Sequence, residues 1–280
     1  MHAILLVGGK GTRLLPYTRS RPKGLLSFGR YTLLEIILRR LRACGVERVT
    51  LCISHLGELI RTAFGDGRAL GLSVDYCVDE RPLGTAAPLL LVPDWDLPAV
   101  VMNGDLLTTV DFGELRRWHD RSGGLLSVVY QRHWLASGMG LLRVLGDRVH
   151  SMREKPTFEW NVCAGVYVAD PLVRTYIPAG VPTDMPDLIN ALAQSGEVVS
   201  GYRFAGSWHD VGTPERYRRA HADFLADPDL YLAPQSRPPA RSGQPPDLAV
   251  QLRSGPADGG VDLSVLGGAG PDQPAIGSWP

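Results

Sequence analysis

The sequence predicts a layered α/β domain with a mostly parallel sheet. Two observations carry that reading. Short apolar runs alternate with segments of helical spacing over roughly the first 130 residues, and the first and fourth runs stop abruptly at Gly8-Gly9 and at Asn103-Gly104-Asp105. Ala3–Val7 is a buried-strand run that feeds a loop. Leu33, Leu34, Ile37, Leu38 and Leu41 then recur at helical spacing, and Gly45 stands where a C-terminal cap belongs. Arg48–Ser54 reads as a second strand, Gly57–Phe64 as a short helix and Ser73–Val78 as a third strand. Thr85 is placed to cap the alanine- and leucine-rich helix expected after it. Ala99–Met102 is the fourth strand, Asp111-x-x-Glu114 a capping box for the next helix, and Leu125–Tyr130 a further strand.

From about Met139 the texture changes. Leu141–Leu145 and Arg148–Met152 flank Gly146-Asp147 as a hairpin. Val162–Val168 is a strand, Asp187–Gln194 a helix and Val198–Phe204 a strand. Thr213-Pro214 opens a last helix through Leu225, with threonine as cap and proline at the first helical position. Beyond Asp227 proline and glycine become dense and hydrophobic periodicity stops, without the hexapeptide rhythm of a β-helix. The expected organisation is therefore a folded domain over residues 1–226 and a poorly ordered tail over 227–280.

The 280 residues carry 29 basic and 29 acidic side chains, so the basic footprint of a nucleic-acid partner is missing. No apolar stretch is long enough for a membrane span. Met1-His2-Ala3 leads straight into an apolar run without a basic region or cleavage site, so no signal peptide and a cytoplasmic location are expected. Cys44, Cys52, Cys77 and Cys163 form no C-x-x-C pair, and neither a zinc site nor a disulfide framework is indicated. Only three basic residues are lysine, and Lys10, Lys23 and Lys155 all fall inside glycine or proline motifs.

Gly8-Gly9-Lys10-Gly11-Thr12-Arg13-Leu14 follows the first strand directly. Glycines there let backbone N–H groups approach a phosphate, at the sheet edge where open α/β folds bind ligands. A tight structural turn is the other reading. A Walker A loop fails because Lys10 precedes Gly11, and a dinucleotide fingerprint fails because Leu14 stands where a small residue belongs. Pro22-Lys23 places a second cation ten residues after Arg13.

The run GGKGTRLLPYT, then RPK, GLLSFG and Glu35, resembles the signature of the sugar-1-phosphate nucleotidylyltransferases. PLGTA at 82–86, NGD at 103–105, EKP at 154–156, NVCAGVY at 161–167, DMPDL at 184–188 and WHDVGTPERY at 208–217 follow in the family's order. The LVGG opening and PLGTA are most similar to the GDP-mannose pyrophosphorylase (mannose-1-phosphate guanylyltransferase) branch. The resemblance implies a three-layer αβα, Rossmann-like (GT-A-like) mixed sheet with a small sugar-binding subdomain. Ser27-Phe28-Gly29 departs from the family's more usual proline-valine-glycine.

The activity implied is attack of a sugar 1-phosphate oxygen on the α-phosphorus of a nucleoside triphosphate, with release of pyrophosphate. The two anions carry about six negative charges, and each unit pair at 4 Å costs about 4 kcal/mol at an effective dielectric of 20. Catalysis must therefore supply cations and in-line positioning. By resemblance, Arg13 and Lys23 clamp the triphosphate and Lys155 the attacking phosphate. Gly8, Gly9, Gly11 and Thr12 cradle the nucleotide, with Asp79, Glu80, Pro82, Gly84 and Thr85 against the base. Gly140, Glu154, Asn161 and Gly165 join Lys155 around the sugar phosphate. Asp105 and Asp210 are the expected ligands of Mg²⁺, which prefers oxygen; a turn residue and a helix-cap partner are their other readings. His209 is read as a packed neighbour.

Guanine presents two adjacent donors, which a carboxylate accepts in parallel, whereas uracil and thymine suit an amide better. Asp79 and Glu80 thus favour GTP over UTP or dTTP. The expected product is a GDP-sugar such as GDP-mannose, or a GDP-cyclitol such as GDP-valienol, and a homodimer is possible. The alternatives are a UTP- or dTTP-using glucose-1-phosphate enzyme and a non-catalytic nucleotide-sugar-binding regulator. A regulator should have lost a cation or a carboxylate, and Arg13, Lys23, Asp105, Lys155 and Asp210 are all present.

Overall fold

The computed structural model describes residues 1–232 apart from Lys10, His55 and Pro82. The chain begins with β1 (His2–Leu6), β2 (Ser27–Phe28), β3 (Tyr31–Thr32), α1 (Leu33–Ala43), β4 (Arg48–Ile53), α2 (Gly57–Phe64) and β5 (Ser73–Val78). It continues through β6 (Ala99–Asn103), β7 (Leu106–Thr108), α3 (Phe112–Ser122), β8 (Leu126–Ala136), β9 (Leu141–Leu145) and β10 (Arg148–Arg153). The last elements are β11 (Thr157–Ala169), α4 (Met185–Gln194), β12 (Val199–Arg203), β13 (Trp208–Asp210), α5 (Pro214–Ala226) and α6 (Pro228–Leu232).

Seven strands form one mixed sheet in the order β12-β8-β11-β6-β1-β4-β5. Within it β11 runs antiparallel to β6 and β8, and the other pairs are parallel. Alternate residues of β1 enter opposite cores. Ala3 and Leu5 pack in the cluster that holds Leu34, Leu38 and Leu41 of α1, whereas Ile4 packs in the one that holds Leu188 and Leu192 of α4. Both sheet faces are covered, which is why the strands read as continuous apolar runs. The three-layer α/β class expected from the sequence is the one observed.

Helix ends follow their caps. Thr32, Asp111 and Thr213 accept hydrogen bonds from the backbone N–H of Glu35, Glu114 and Arg216, at 3.3, 2.8 and 3.3 Å. Such bonds satisfy donors that the first turn leaves free. Gly45, with φ +87°, ends α1 as the sequence predicts. Thr85 is a correction. The segment after it is a 3₁₀ turn over Ala87–Leu91 with Ala86 at its N-cap and no side-chain cap, and Thr85 turns to α4 instead.

Two further differences concern length. β8 and β11 pair outward to Ala136↔Thr157, well past the expected ends, with a register shift between Cys163 and Tyr167. They carry the hairpin of β9 and β10, and β10 is exposed along its whole length. At the other end, α6 lies inside the segment assigned to the tail. Tyr231 is buried with its ring 5.9 Å from Phe224, and buried Arg40 donates to the carbonyls of Leu230 (3.1 Å) and Tyr231 (3.3 Å). The folded domain thus reaches Leu232, and residues 233–280 of the expected tail lie outside the described residues. Among the described residues no helix is long and apolar enough to cross a membrane.

Candidate active site

A cleft of about 400 Å³ opens at the carboxyl edge of β1, β4, β5 and β6. Its walls bring together Gly8, Gly9, Arg13, Lys23, Asp79, Gly84, Thr85 and Asp105, all singled out from sequence. Each wall has a local cause. Gly8 packs where a Cβ would stand 2.8 Å from Ser54 Oγ, and the Ser54 hydroxyl donates to the Gly8 carbonyl. Gly11 has φ +65°, and the Thr18 hydroxyl donates to its carbonyl at 2.7 Å. Leu14 is fully buried, so the position that is small in a dinucleotide fingerprint is here the anchor of the loop. Gly11, Thr12 and Glu80 do not line the cleft; Thr12 and Glu80 are exposed. Lys10 and Pro82 lie outside the described residues.

Asn103 ends β6, and Gly104 crosses so close to β1 that a Cβ would fall 2.2 Å from Val7 Cγ1. Asp105 follows. Lys23 Nζ donates to its Oδ2 at 2.7 Å, in an ion pair with side chains only 16% and 23% exposed. β7 and β13 pair antiparallel with Leu106 opposite Asp210, and Val211 N–H donates to the Asp105 carbonyl at 2.9 Å. Asp105, in the turn before β7, and Asp210, at the end of β13, are 105 residues apart in sequence and are brought together by this pairing. Asp210 Oδ2 accepts from Arg216 Nη1 at 2.6 Å. His209 is held by Asp223 at 3.1 Å and Tyr231 at 3.4 Å, and burial lowers its pKa. It packs, as expected.

The donor set suits a hard divalent cation. Asp105 lines the cleft and Asp210 does not, each is paired with a cation, Lys23 and Arg216, and Asn103 Oδ1, on the cleft wall, is buried without a hydrogen-bond partner among the described residues. Among the described residues no cluster of three or more His, Cys, Asp or Glu side chains offers a complete coordination sphere. A cation there would take phosphate and water oxygens for the rest, the habit of Mg²⁺.

None of the residues expected to hold the acceptor lines the cleft: Gly140, Glu154, Lys155 and Asn161 stand on the β8–β11 extension and its hairpin, whereas Gly165 is buried in the central sheet. Glu154 and Lys155 form the exposed turn between β10 and β11, and Lys155 has φ +39°, the irregular backbone expected before Pro156. Gly140 leaves room beside Glu154, whose Oε2 is 3.0 Å from where a Cβ would stand. Asn161 is exposed on β11, opposite Arg132. Gly165, with φ +66°, occupies the β11 irregularity, and a Cβ there would meet Asn103 Nδ2 at 2.8 Å.

Sequence reasoning missed Asp184. Its Oδ1 accepts from Thr85 N (2.8 Å) and Thr85 Oγ1 (3.1 Å), while the same Oγ1 accepts from Met185 N at 2.9 Å. Gly84, at φ +98°, fits only because it has no Cβ, which would lie 2.5 Å from the Thr183 carbonyl oxygen. The strip Leu83–Thr85 is thus stitched to the start of α4 from the second half of the chain. The motif DMPDL carried the signal as part of the family resemblance, without a role assigned to Asp184. The Phe28 departure also gains a cause: it is fully buried, 5.4 Å from Tyr217 and 5.9 Å from Phe224 by ring centroid.

A mixed αβα sandwich with a glycine-lined, cation-bearing cleft at its carboxyl edge defines a protein of the nucleotide-binding α/β class. Residues 2–227 match the family model described as Nucleotidyl transferase, and the chain belongs to that family. It is 35% identical over 238 residues to a mannose-1-phosphate guanylyltransferase of Mycobacterium tuberculosis, covering 80% of this chain and 64% of that one. It is 30% identical over 241 residues to the mannose-1-phosphate guanylyltransferase catalytic subunit beta of Danio rerio, covering 83% and 65%. This chain thus spans less than two thirds of the length of those relatives. A solved structure from Bacillus anthracis, assigned to glucose-1-phosphate thymidylyltransferase, superposes with TM-score 0.65 at 25% identity, over 79% of this chain and 94% of that one. HddC from Yersinia pseudotuberculosis, complexed with GMP-PN, superposes with TM-score 0.60 at 20% identity over 80% and 99%, a likeness of fold alone.

Proposed function

We propose that this chain is a sugar-1-phosphate guanylyltransferase, transferring GMP from GTP to mannose 1-phosphate or a related hexose 1-phosphate. The observation that carries the reading is the single cleft in which the glycine loop, Arg13, Lys23, Asp79 and Asp105 meet, with Asp210 on the strand next to Asp105. The guanylyltransferase names of the relatives support the choice of base.

An acceptor phosphate oxygen attacks the α-phosphorus in line, the bond to the bridging oxygen breaks, and pyrophosphate leaves. Arg13 and Lys23 hold the triphosphate charge. Lys23 and Asp105 neutralise each other across 2.7 Å without substrate. A triphosphate competes for the lysine and leaves the carboxylate to a cation. Asp105 and Asp210 would hold Mg²⁺, which when bound screens the phosphates and polarises their oxygens. Asp79 accepts the N1 and N2 hydrogens of guanine. Lys155 orients the attacking phosphate, and Glu154 and Asn161 accept and donate to sugar hydroxyls.

The test is pyrophosphate release with GTP, UTP, dTTP, ATP and CTP against mannose, glucose and valienol 1-phosphates. GTP with mannose 1-phosphate is expected to be fastest. A faster rate with UTP or dTTP overturns the guanine reading. A faster rate with valienol 1-phosphate moves the acceptor to the cyclitols. Tight nucleotide binding without turnover on any pair makes the chain a binding module.

A further inference from the structure

Two thiols that the proposed reaction does not use face each other beneath the cleft. Cys52 on β4 and Cys77 on β5 are register partners in parallel strands, both are buried and free, and their sulfurs are 3.0 Å apart with one S–H donating to the other sulfur. Adjacent strands lie about 4.8 Å apart, within the Cα separation of about 4.4–6.8 Å that a disulfide spans. Cys52 also lines the cleft wall, and Cys77 stands behind it.

The position matters because the backbone around the pair holds two walls of the cleft. The Cys52 carbonyl accepts from Val7 N–H at 3.0 Å, immediately before the glycine loop. The next carbonyl, of Ile53, accepts from Asp79 N–H at 2.8 Å. A covalent bridge between the two side chains therefore acts between the phosphate-facing loop and the base-facing carboxylate.

We propose that Cys52 and Cys77 are an oxidative modification site, which a hydroperoxide converts to a reversible disulfide that weakens triphosphate binding. The weakening rests on the guanylyltransferase reading; formation of the bridge does not. The S–H of one partner stabilises the thiolate of the other, which draws the Cys77 thiol below its ordinary value. The same contact, together with burial, raises the Cys52 thiol well above its ordinary value, so Cys52 keeps its proton and the thiolate sits on Cys77. That thiolate attacks one peroxide oxygen, forming an S–O bond and breaking O–O, and the released alkoxide takes a proton to leave as an alcohol. Cys52 then attacks the sulfenic sulfur, forming S–S and expelling hydroxide, which leaves as water with the Cys52 proton. Two electrons pass from the thiols to the peroxide.

The test treats the full, reduced chain with graded tert-butyl hydroperoxide, followed by intact mass and peptide mapping, with binding of a fluorescent GTP analogue measured in parallel. The expected result is loss of two hydrogens, a Cys52–Cys77 cross-linked peptide, and binding at least about tenfold weaker that dithiothreitol restores. Cys77→Ser should bind the analogue as the reduced wild type does and ignore the peroxide. Sulfinic acid at Cys77 without a bridge, bridging that instead uses Cys44 or Cys163, or a bridged chain that binds as tightly as the reduced one overturns the proposal. If the reduced chain binds no triphosphate, the guanylyltransferase reading falls, while the mass data still decide the bridge.

Discussion

The proposed nucleotide side and the proposed acceptor side of this domain are built on different principles. On the nucleotide side, loops at the edge of a buried sheet are pinned by side chains and close approaches: Ser54 on Gly8, Thr18 on Gly11 beside the cleft, Gly104 against Val7, Asp184 on Thr85. On the acceptor side Glu154, Lys155 and Asn161 stand exposed on a lobe whose β10 edge touches solvent throughout. A preformed cleft binds its ligand without a further ordering cost, whereas an exposed lobe must fix rotamers when the ligand arrives. The glycines divide less cleanly: Gly84 and Gly104 are crowded by protein and Gly146 at the hairpin tip has nothing within 4 Å, but Gly9 in the cleft is equally open and Gly140 is crowded by Met152.

The largest effect is expected where the two sides meet. Asp105→Asn and Asp210→Asn should each lower Mg²⁺-dependent turnover by well over about a hundredfold, since outer-shell partners of a metal alone are worth about 10–100-fold. Circular dichroism and melting temperature should stay near wild type. Substantial remaining turnover in either variant would remove the two-carboxylate model.

Substrate affinities sharpen the division next. Arg13→Ala should raise the KM for GTP about 10–100-fold, with the acceptor KM nearly unchanged, and Lys155→Ala should do the reverse. Lys155→Arg should rescue only in part, because a planar fork does not replace a point charge at a φ of +39°. Equal effects on both substrates would mean that the lobe and the cleft are one site energetically.

Stability gives a third contrast. Gly84→Ala is expected to cost about 2–5 kcal/mol through its left-handed backbone and the contact with Thr183, whereas Gly146→Ala should cost about 1 kcal/mol. Urea unfolding measures both, and equal costs would deny that the cleft is the tighter region. Asp184→Ala should raise the KM for GTP several-fold through the loss of two bonds to Thr85, and Asp184→Asn, which keeps an acceptor oxygen, should restore it.

The smallest effect lies far from both sites. His2 sits 2.9 Å from Thr50 Oγ1, and burial, with help from Arg48, lowers its pKa from 6.5 to about 4. The neutral ring is favoured in the folded state, so the unfolded chain binds more protons between about pH 4 and 6.5. The contribution of His2 is complete above that window and is lost as pH falls through it. Urea midpoints for wild type and His2→Gln across this range should converge at low pH, and parallel curves would remove His2 from the acid response.

Much of the fold was legible because it is written in local rules. Gly57–Phe64 and Ser73–Val78 appear with the predicted bounds, and the caps at Asp111 and Thr213 sit where short polar side chains precede apolar periodicity. The residues of the cleft were legible for a chemical reason, since glycines, lone lysines and turn aspartates at strand ends have few structural uses. What sequence could not show were contacts made across long separations. The pairing of β7 with β13 that joins Asp105 to Asp210, the stitch from Asp184 to Thr85, and the clamp of Arg40 on α6 all depend on which surfaces meet after the sheet forms. A cap or a strand is decided by neighbours within a few residues, so the sequence by itself determined the layers, the loops and which residue types gather at the candidate site. Which partner each polar group finds is decided by packing of the whole sheet, because a buried donor or acceptor must be satisfied by whatever the fold brings near. Only the tertiary structure decided that Thr85 serves α4, that Phe28 enters the core, and that two cysteines meet under the cleft.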